Sequence, residues 1–496
     1  MYTIGIYKES ALSKYSVPEE IRQMKPKGTA VKVIKGNYYV YSHSQVKDPE
    51  TGRWKTATGK LLGKIIPGVG YCPRIAASSL GRITCYCYGE YLLATYLAKD
   101  DFVSLKRLFN PDEAMQVFSL ACVFAVEGYI GLGAAVDEYE HSLIARDYPA
   151  LKFSRHILTG LISRMGLQDR MYDFQRECMK QASQVAVDGH VIATDSDESD
   201  LSYQGYKTRE LKSEQMNLMV AMDVNARIPL ATRVFPGYMV DKKDFTDFMG
   251  HVGDVSGKLF IMDSGFNSEE NRKYLKKKKA EYLMPVPSGR SDYSAAFRVR
   301  KGRMAQFIYT AGRNRSDIVE YRQTDKDDGT KTVFYRNLSE KERLSKAYLE
   351  GLEEGKPGYT QEKYDRQSRY FGTIVLETNS SKEPKELYSI YKSRWAIETY
   401  YDRLKNGMDF TELGLSDYGL IQGISFIMLL AGRIDARILE AARKVNMTRK
   451  ELVRLMSGLK LLDKDKLVSI ENMKKEHNTV AEKLGFSYNF NRKCLD

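Results

Sequence analysis

Between residues 190 and 286 the chain alternates in a way that leaves few folds open. Three apolar runs, 190–195, 216–222 and 229–235, follow one another through polar connections, and each reads as a strand. Strands in such sequence pair as an antiparallel meander, because a parallel return needs a crossover of a dozen or more residues, usually a helix. The period then changes. A helix starts at Asp241, which caps it with Asp244 three residues on; a strand covers 259–263, a helix 268–279 and a further strand 282–286. The order β-β-β-α-β-α-β reads as a mixed α/β sheet, with the first and fourth strands expected to be neighbours.

That order is the one of the ribonuclease H-like fold, and other regions surround it. Residues 1–95 form an N-terminal β-rich basic module of short strands broken at Gly36, Gly52 and Gly59. Its alternating Tyr and Lys suit either an ordinary antiparallel sheet or a surface laid against DNA. Residues 96–184 turn helical, with apolar residues recurring at three and four, and read as a DNA-binding or assembly domain. The catalytic core spans 185–289 and resumes over 379–440. Between its two parts, 290–378 is a β-rich insertion with strands expected at 297–303, 318–322 and 332–336 and a charged helix ending at Gly355. Residues 441–496 make a helical tail.

Two aspartates close equivalent strands: Asp195 the first, Asp263 the fourth. Taken singly, an Asp past a strand is most often a turn or cap residue. On neighbouring strands the two carboxylates converge at one end of the sheet, where ligands of open α/β sheets collect. A third carboxylate lies in residues 387–406, a segment without Gly or Pro that reads as one helix. Ser381 caps it, Pro384 stands in its first turn and Asn406-Gly407 offers a left-handed stop. At 3.6 residues per turn, Tyr391, Arg394, Glu398 and Lys405 share an arc of roughly 60°, beside an apolar stripe of Ile390, Ile397, Tyr401 and Leu404. A local ion pair between Glu398 and Arg394 explains the helix by itself, but it leaves both aspartates idle. Three carboxylates without local cations repel one another unless a divalent metal sits among them. Mg²⁺ or Mn²⁺ suits such oxygen ligands, and two ions roughly 4 Å apart serve phosphodiester chemistry. Asp195, Asp263 and Glu398 are then the expected catalytic and metal-holding residues. Arg394 grips phosphate bidentately, Lys405 acts as a point charge and Tyr391 donates to a phosphate oxygen.

The spacing Tyr391-x2-Arg394-x3-Glu398-x6-Lys405 resembles the Y-R-E-K signature of bacterial insertion-sequence transposases of the DDE class, and Arg394-Trp-Ala-Ile-Glu398 is similar to their R-W-x-I-E core. Asp263-Ser-Gly-Phe266 looks like their second-aspartate motif. Gln215-Met-Asn-Leu, Pro229-Leu and Pro236-Gly-x3-Asp241 resemble the stretch between the first two aspartates, and Gly59-Lys-Leu-Leu-Gly-Lys-Ile65 with the helical tail extends the likeness over most of the chain. The resemblance implies cut-and-paste DNA transposition: metal-dependent hydrolysis at element ends, then attack of the freed 3′-hydroxyls on target DNA. It implies double-stranded DNA as partner, both terminal inverted repeats and target, and a homodimer or larger assembly on that DNA. It implies a flanking-strand hairpin assisted by Tyr391 and Arg394, and a strand-rich insertion between the second Asp and the Glu, in keeping with gaps of 68 (263 − 195) and 135 (398 − 263) residues. Two departures stand out. The first aspartate of relatives is usually followed by Thr or Gly-Thr, whereas Asp195-Ser196-Asp197 leaves Asp197 as an alternative first carboxylate. Some relatives stack a flipped base on a Trp of the insertion, whereas the only tryptophans here are Trp54 and Trp395.

Rival readings use the same residues: a ribonuclease H-like nuclease or domesticated transposase that cuts without strand transfer, or a non-catalytic DNA-binding protein. The net charge of +13 favours a polyanionic partner in each case. Six cysteines in 496 residues make no disulfide framework, and Cys85-Tyr-Cys87 reads as strand alternation rather than a zinc site. No uncharged apolar run reaches ~18 residues. The most apolar segment, 419–432, holds Gln422 and Ser425 and reads as a buried helix. The expectation is no membrane partner and a reducing, cytoplasmic, nucleoid-associated setting.

Overall fold

The computed structural model describes residues 17–47, 52–74, 83–194, 196, 199, 201–203, 214–237, 241–298, 304–311, 315–464, 467–488 and 493–495. Two compact units divide it: Met1–Thr84 with Leu462–Val468, and Cys85–Leu461 with Ser469–Asp496.

In the first unit, β1 (Thr29–Ile34), β2 (Asn37–Lys47), β3 (Trp54–Ile66) and β4 (Gly70–Pro73) form an antiparallel sheet in sequence order. Lys35 and Gly36 both adopt positive φ, 51° and 80°, which is the two-residue turn that matches strand twist in a hairpin. Gly59 does not break a strand as the sequence suggested. It lies inside β3 opposite a register irregularity around Tyr41, where Ser42 Oγ accepts from the Lys60 N–H at 2.8 Å, and an added Cβ would overlap that hydroxyl. Ile21, Val40 and Ile65 form the core on one face.

The second unit is built on a nine-stranded mixed sheet. Its strands are β5 (Gln184–Thr194), β6 (Glu214–Asp223), β7 (Ile228–Pro236), β8 (Leu259–Met262), β9 (Glu281–Pro285), β10 (Ala305–Ala311), β11 (Arg315–Asp325), β12 (Lys331–Asn337) and β13 (Thr373–Thr378). Their order across the sheet is β10-β11-β12-β13-β9-β8-β5-β6-β7. The meander β5-β6-β7 is antiparallel, and β8 lies parallel to both β5 and β9, so the first and fourth strands are neighbours. The insertion adds its strands to this same sheet, because β13 pairs with β9 on one side and β12 on the other.

Two sequence expectations change here. The first strand is longer than 190–195 and begins at Gln184. Phe297 and Arg298 end a helix, Ser291–Arg298, instead of opening a strand, with Phe297 packed edge-on to Phe334; residues 299–303 of that expected strand lie outside the described residues.

Around the sheet run α1 (Lys99–Leu108), α2 (Pro111–Glu127), α3 (Arg155–Gly166), α4 (Arg170–Lys180), α5 (Asp241–His251), α6 (Glu269–Lys277), α7 (Leu338–Glu353), α8 (Pro384–Ser393), α9 (Trp395–Asn406) and α10 (Tyr418–Lys444). Helix α10 is long and apolar enough to cross a membrane by length and composition, yet 89% of that apolar window is buried inside the chain. It packs against α2, α3 and β7. Its polar groups are satisfied internally: Gln422 exchanges hydrogen bonds with the Val234 backbone at 3.1 and 2.7 Å, and Arg433 grips Asp101 with two at 3.0 and 2.9 Å.

The α3–α10 crossing is made by glycines. A Cβ added at Gly166 would overlap the Gly419 carbonyl, and one at Gly423 would overlap the Ile162 carbonyl. Backbones this close leave no room for a methyl group. Gly166→Ala or Gly423→Ala is therefore expected to cost about 1–3 kcal/mol through overpacking. A lowered thermal midpoint checks this; a midpoint equal to that of the unaltered chain counts against backbone contact at this crossing.

Candidate active site

The parallel pairing of β5 with β8 sets the site. Its register runs Gln184↔Leu259, Val185↔Phe260, Ala186↔Ile261 and Val187↔Met262. All six residues at positions 185–187 and 260–262 are buried. One step further along both strands stand Asp188 and Asp263, so these two aspartates are level on adjacent strands. Asp263 is extended, with φ −78° and ψ 169°, and its Oδ1 accepts from the Ser264 N–H at 2.7 Å as the chain turns away.

Asp195 and Asp197, the sequence-based candidates, lie outside the described residues. Thr194, the last residue of β5, is six residues beyond Asp188, or about 20 Å along a strand at roughly 3.3 Å per residue. It pairs with Glu214 of β6, well past the level of Asp263. The signal for Asp188 was present in the sequence. Val185-Ala-Val187 before Asp188 is a buried run closed by an aspartate, the same pattern as Leu259–Met262 before Asp263.

The expected single helix over 387–406 is two, meeting at Arg394. The cause is local. Ser393 Oγ donates to the Ile390 carbonyl at 2.5 Å, the acceptor that Arg394 N–H would use in a continuous helix. Arg394 N–H bonds Tyr391 O instead, at 3.1 Å, and Ile397 N–H bonds Arg394 O at 3.0 Å, both tighter three-residue steps. The ends differ too. Glu383, without a side-chain cap, precedes α8; Gly407 is right-handed, and the left-handed residue is Asp409, with φ 53°. The apolar stripe of Ile390, Ile397, Tyr401 and Leu404 is buried as expected.

Arg394 joins the pieces. It donates to Glu398 Oε1 and, at 3.4 Å, to Asp188 Oδ2, and its guanidinium lies 5.8 Å from the centre of the Tyr391 ring. Burial works against its charge, but Tyr391, Asp188, Glu398 and Asp263 outweigh burial and keep it more firmly protonated than usual. Burial, with the negative charges of Asp263 and Glu398 nearby, pushes the Tyr391 phenol up to about 12 against the opposing charge of Arg394, so it remains a donor at neutral pH. The Tyr401 hydroxyl donates to the Asp188 carbonyl at 2.7 Å, and the Tyr401 ring stacks on His190 at 4.8 Å, fastening α9 to β5. Lys405 is exposed, seven residues beyond Glu398 and about 10 Å along the helix.

The structure thus brings Asp263, Glu398, Arg394 and Tyr391 together with Asp188, and sets Lys405 on the same helix at a distance. Among the described residues no three His, Cys, Asp or Glu side chains are close enough to hold a metal ion as they stand. The donor chemistry of Asp188, Asp263 and Glu398 does fit one. All donors are carboxylate oxygens; Asp263 is exposed, and the Glu398 side chain is 41% exposed.

The turn carrying Asp263 is held from behind. Asn267, four residues on and buried, donates from Nδ2 to the Pro285 carbonyl at 2.9 Å and to Glu377 Oε2 at 3.3 Å. Glu377, a 3%-exposed side chain on β13, accepts from Arg290 at 2.7 Å and from Lys326 at 2.8 Å. Burial alone would raise its pKa. The hydrogen bonds from Arg290 and Lys326 and the charges of Lys326 and Arg272 overcome that and pull it down to about 2.

A family model described as "Transposase DDE domain" matches residues 180–431, which is 252 of 496 residues. No curated protein matches the chain. Among solved structures, the cryo-EM structure of the piggyBac transposase synaptic complex with hairpin DNA is similar at 10% identity and a TM-score of 0.40, over 75% of this chain and 80% of that one, a likeness too distant to carry an argument.

Because the folded pKa of Glu377 lies below its unfolded value of about 4.3, its ionisation contributes stability above that value and loses it as pH falls toward 2. The contribution is about 3 kcal/mol. Unfolding followed from pH 6 to pH 3 should show the unaltered chain losing stability and Glu377→Gln, already weaker at pH 6, losing less. Parallel losses in the two proteins would contradict the assignment.

Proposed function

The chain belongs to the transposase DDE-domain family, and on that premise we propose that it cuts DNA at the ends of a mobile element and joins the freed ends to target DNA. The reading rests on one observation above the rest: β5 and β8 are in parallel register, so that Asp188 and Asp263 stand level, and Arg394 ties Asp188 to Glu398. We take the core order, with the fourth strand beside the first, as ribonuclease H-like. Asp188, Asp263 and Glu398 are the catalytic carboxylates of this proposal, with Asp188 in the place that the sequence offered to Asp195 or Asp197.

In the first step a water oxygen attacks phosphorus at the element end, the bond from phosphorus to the 3′ oxygen breaks, and the 3′ oxygen leaves as a hydroxyl. In the second, that hydroxyl attacks a phosphorus of target DNA and displaces a target 3′ oxygen, so one phosphodiester replaces another. Asp188, Asp263 and Glu398 would hold Mg²⁺ or Mn²⁺, as two ions, whose chemistry when bound is to activate the attacking oxygen and stabilise the leaving one.

The chain's other groups handle the phosphate. The Arg394 guanidinium presents a planar fork able to grip two phosphate oxygens. In the fold that fork is turned to Asp188 and Glu398, where it offsets carboxylate repulsion. The Tyr391 phenol, protonated at neutral pH, donates to a phosphate oxygen, and Lys405 meets the backbone further along the duplex. Terminal inverted repeats and target DNA are the substrates, acted on by a dimer or larger assembly.

The test is cleavage of duplexes built from the DNA that flanks the gene on either side. Asp188→Asn, Asp263→Asn and Glu398→Gln should each lower cleavage by on the order of 10³-fold or more while leaving duplex binding intact. Asp195→Asn should cut normally. Cleavage retained by Asp188→Asn and lost by Asp195→Asn would return the first carboxylate to Asp195. Cut ends that are never joined to a second duplex would make the protein a nuclease.

A further inference from the structure

The cluster behind Asp263 contains more than a staple for the insertion needs. Glu377 on β13, Arg290 and Lys326 would suffice for that, with Asp292 Oδ2 accepting from both Arg290 and Lys326 at 2.7 Å. Asn267 is the addition. Its Oδ1 accepts from Arg290 at 3.1 Å and from Arg272 of α6, while its Nδ2 reaches Pro285 and Glu377, so the carboxamide is committed on both sides. Its own N–H closes the turn on Ser264 O at 3.1 Å, one residue after Phe266 N–H bonds Asp263 O at 3.1 Å. The side chain facing the cluster and the backbone bearing Asp263 therefore belong to one five-residue turn.

On the far side, the cluster ends in the hairpin turn between β11 and β12. Lys326 N–H bonds Thr330 O at 2.8 Å and Gly329 N–H bonds Lys326 O at 3.1 Å, which fixes the turn. From it, Lys326 Nζ enters the cluster, Asp328 accepts from Lys276 of α6 at 2.9 Å, and Lys331 Nζ donates to the Lys382 carbonyl at 2.6 Å in the connection before α8. One turn of the insertion thus touches the helix following Asp263 and the segment leading to Arg394 and Glu398.

We propose that this hairpin turn, residues 326–330, positions the Asp263 carboxylate, acting through Lys326, Glu377 and Asn267, none of which touches the substrate. The inference rests on the reading of Asp188, Asp263 and Glu398 as metal-holding carboxylates. A hairpin displaced from the cluster leaves buried Glu377 without one of its cations and loosens the carboxylate that Asn267 Nδ2 reaches, so the turn bearing Asp263 loses part of its support. The strands that extend from the same hairpin, β11 and β12, lie second and third from the edge of the sheet, inside β10.

Binding of Mn²⁺, read from the paramagnetic resonance signal of the free ion, tests this with the full chain on the duplex that it cleaves. Lys326→Met and Asn267→Ala should each raise the Mn²⁺ Kd at least fivefold with duplex affinity unchanged, and Lys326→Arg should restore it. Asn267→Ala keeps the ion pairs of Glu377, so weakening there separates positioning from general stability, which the thermal midpoint reports. Asp263→Asn is the reference. If it weakens Mn²⁺ binding while Lys326→Met and Asn267→Ala bind as the unaltered chain does, the positioning role is overturned. If Asp263→Asn itself binds Mn²⁺ normally, the carboxylate reading beneath it falls.

Discussion

Everything at the candidate site depends on one short parallel ladder, four residues of β5 against four of β8. Parallel strands place residues of equal register at equal height, with side chains on the same face. Both strands are buried along this ladder and both are followed by an aspartate, so the two carboxylates are delivered to one edge by the same packing that fills the core. A slip of one residue would turn every buried side chain to the other face. The apolar pattern that stabilises the sheet therefore also fixes the distance between the charges.

Bringing carboxylates together is costly unless positive charge joins them. Here that charge is Arg394, which reaches Asp188 and Glu398 from a break between two helices. At the break Ser393 Oγ donates to the Ile390 carbonyl, and Arg394 N–H bonds Tyr391 O instead. The local ion pair and the distant role of Glu398 were competing explanations for one stripe of charge. The fold shows the local ion pair and extends it, since the guanidinium that pairs with Glu398 four residues away also pairs with Asp188 across the sheet.

A second set of charges lies deeper and serves a different end. Glu377 is held ionised well below the usual carboxylate range because cations from the insertion and from α6 surround it, in spite of its burial. Such clusters add little net stability over an apolar core, but they punish a missing partner heavily. That asymmetry suits a joint between the strands added by the insertion and the turn bearing Asp263. The insertion continues the central sheet through β13, which pairs on both sides and carries Glu377 to Asn267.

Much was legible in the sequence. Period-two runs gave the meander, the change of period gave the later helices, and the 3.6-residue spacing of Tyr391, Arg394, Glu398 and Lys405 gave a working face beside a buried stripe, because these patterns are set within a few turns of chain. The chain by itself also marked Asp263 and Glu398. It pointed to Asp195, with Asp197 as the alternative, and not to Asp188. Asp195 ends the run that looked most like a strand, but strand ends and pairing partners are not local properties, and only the register against β8 makes Asp188 the neighbour of Asp263. Nor did it reveal the break at Arg394, or the cluster at Glu377, whose members come from positions 267 to 377 and meet only once the sheet has closed around them.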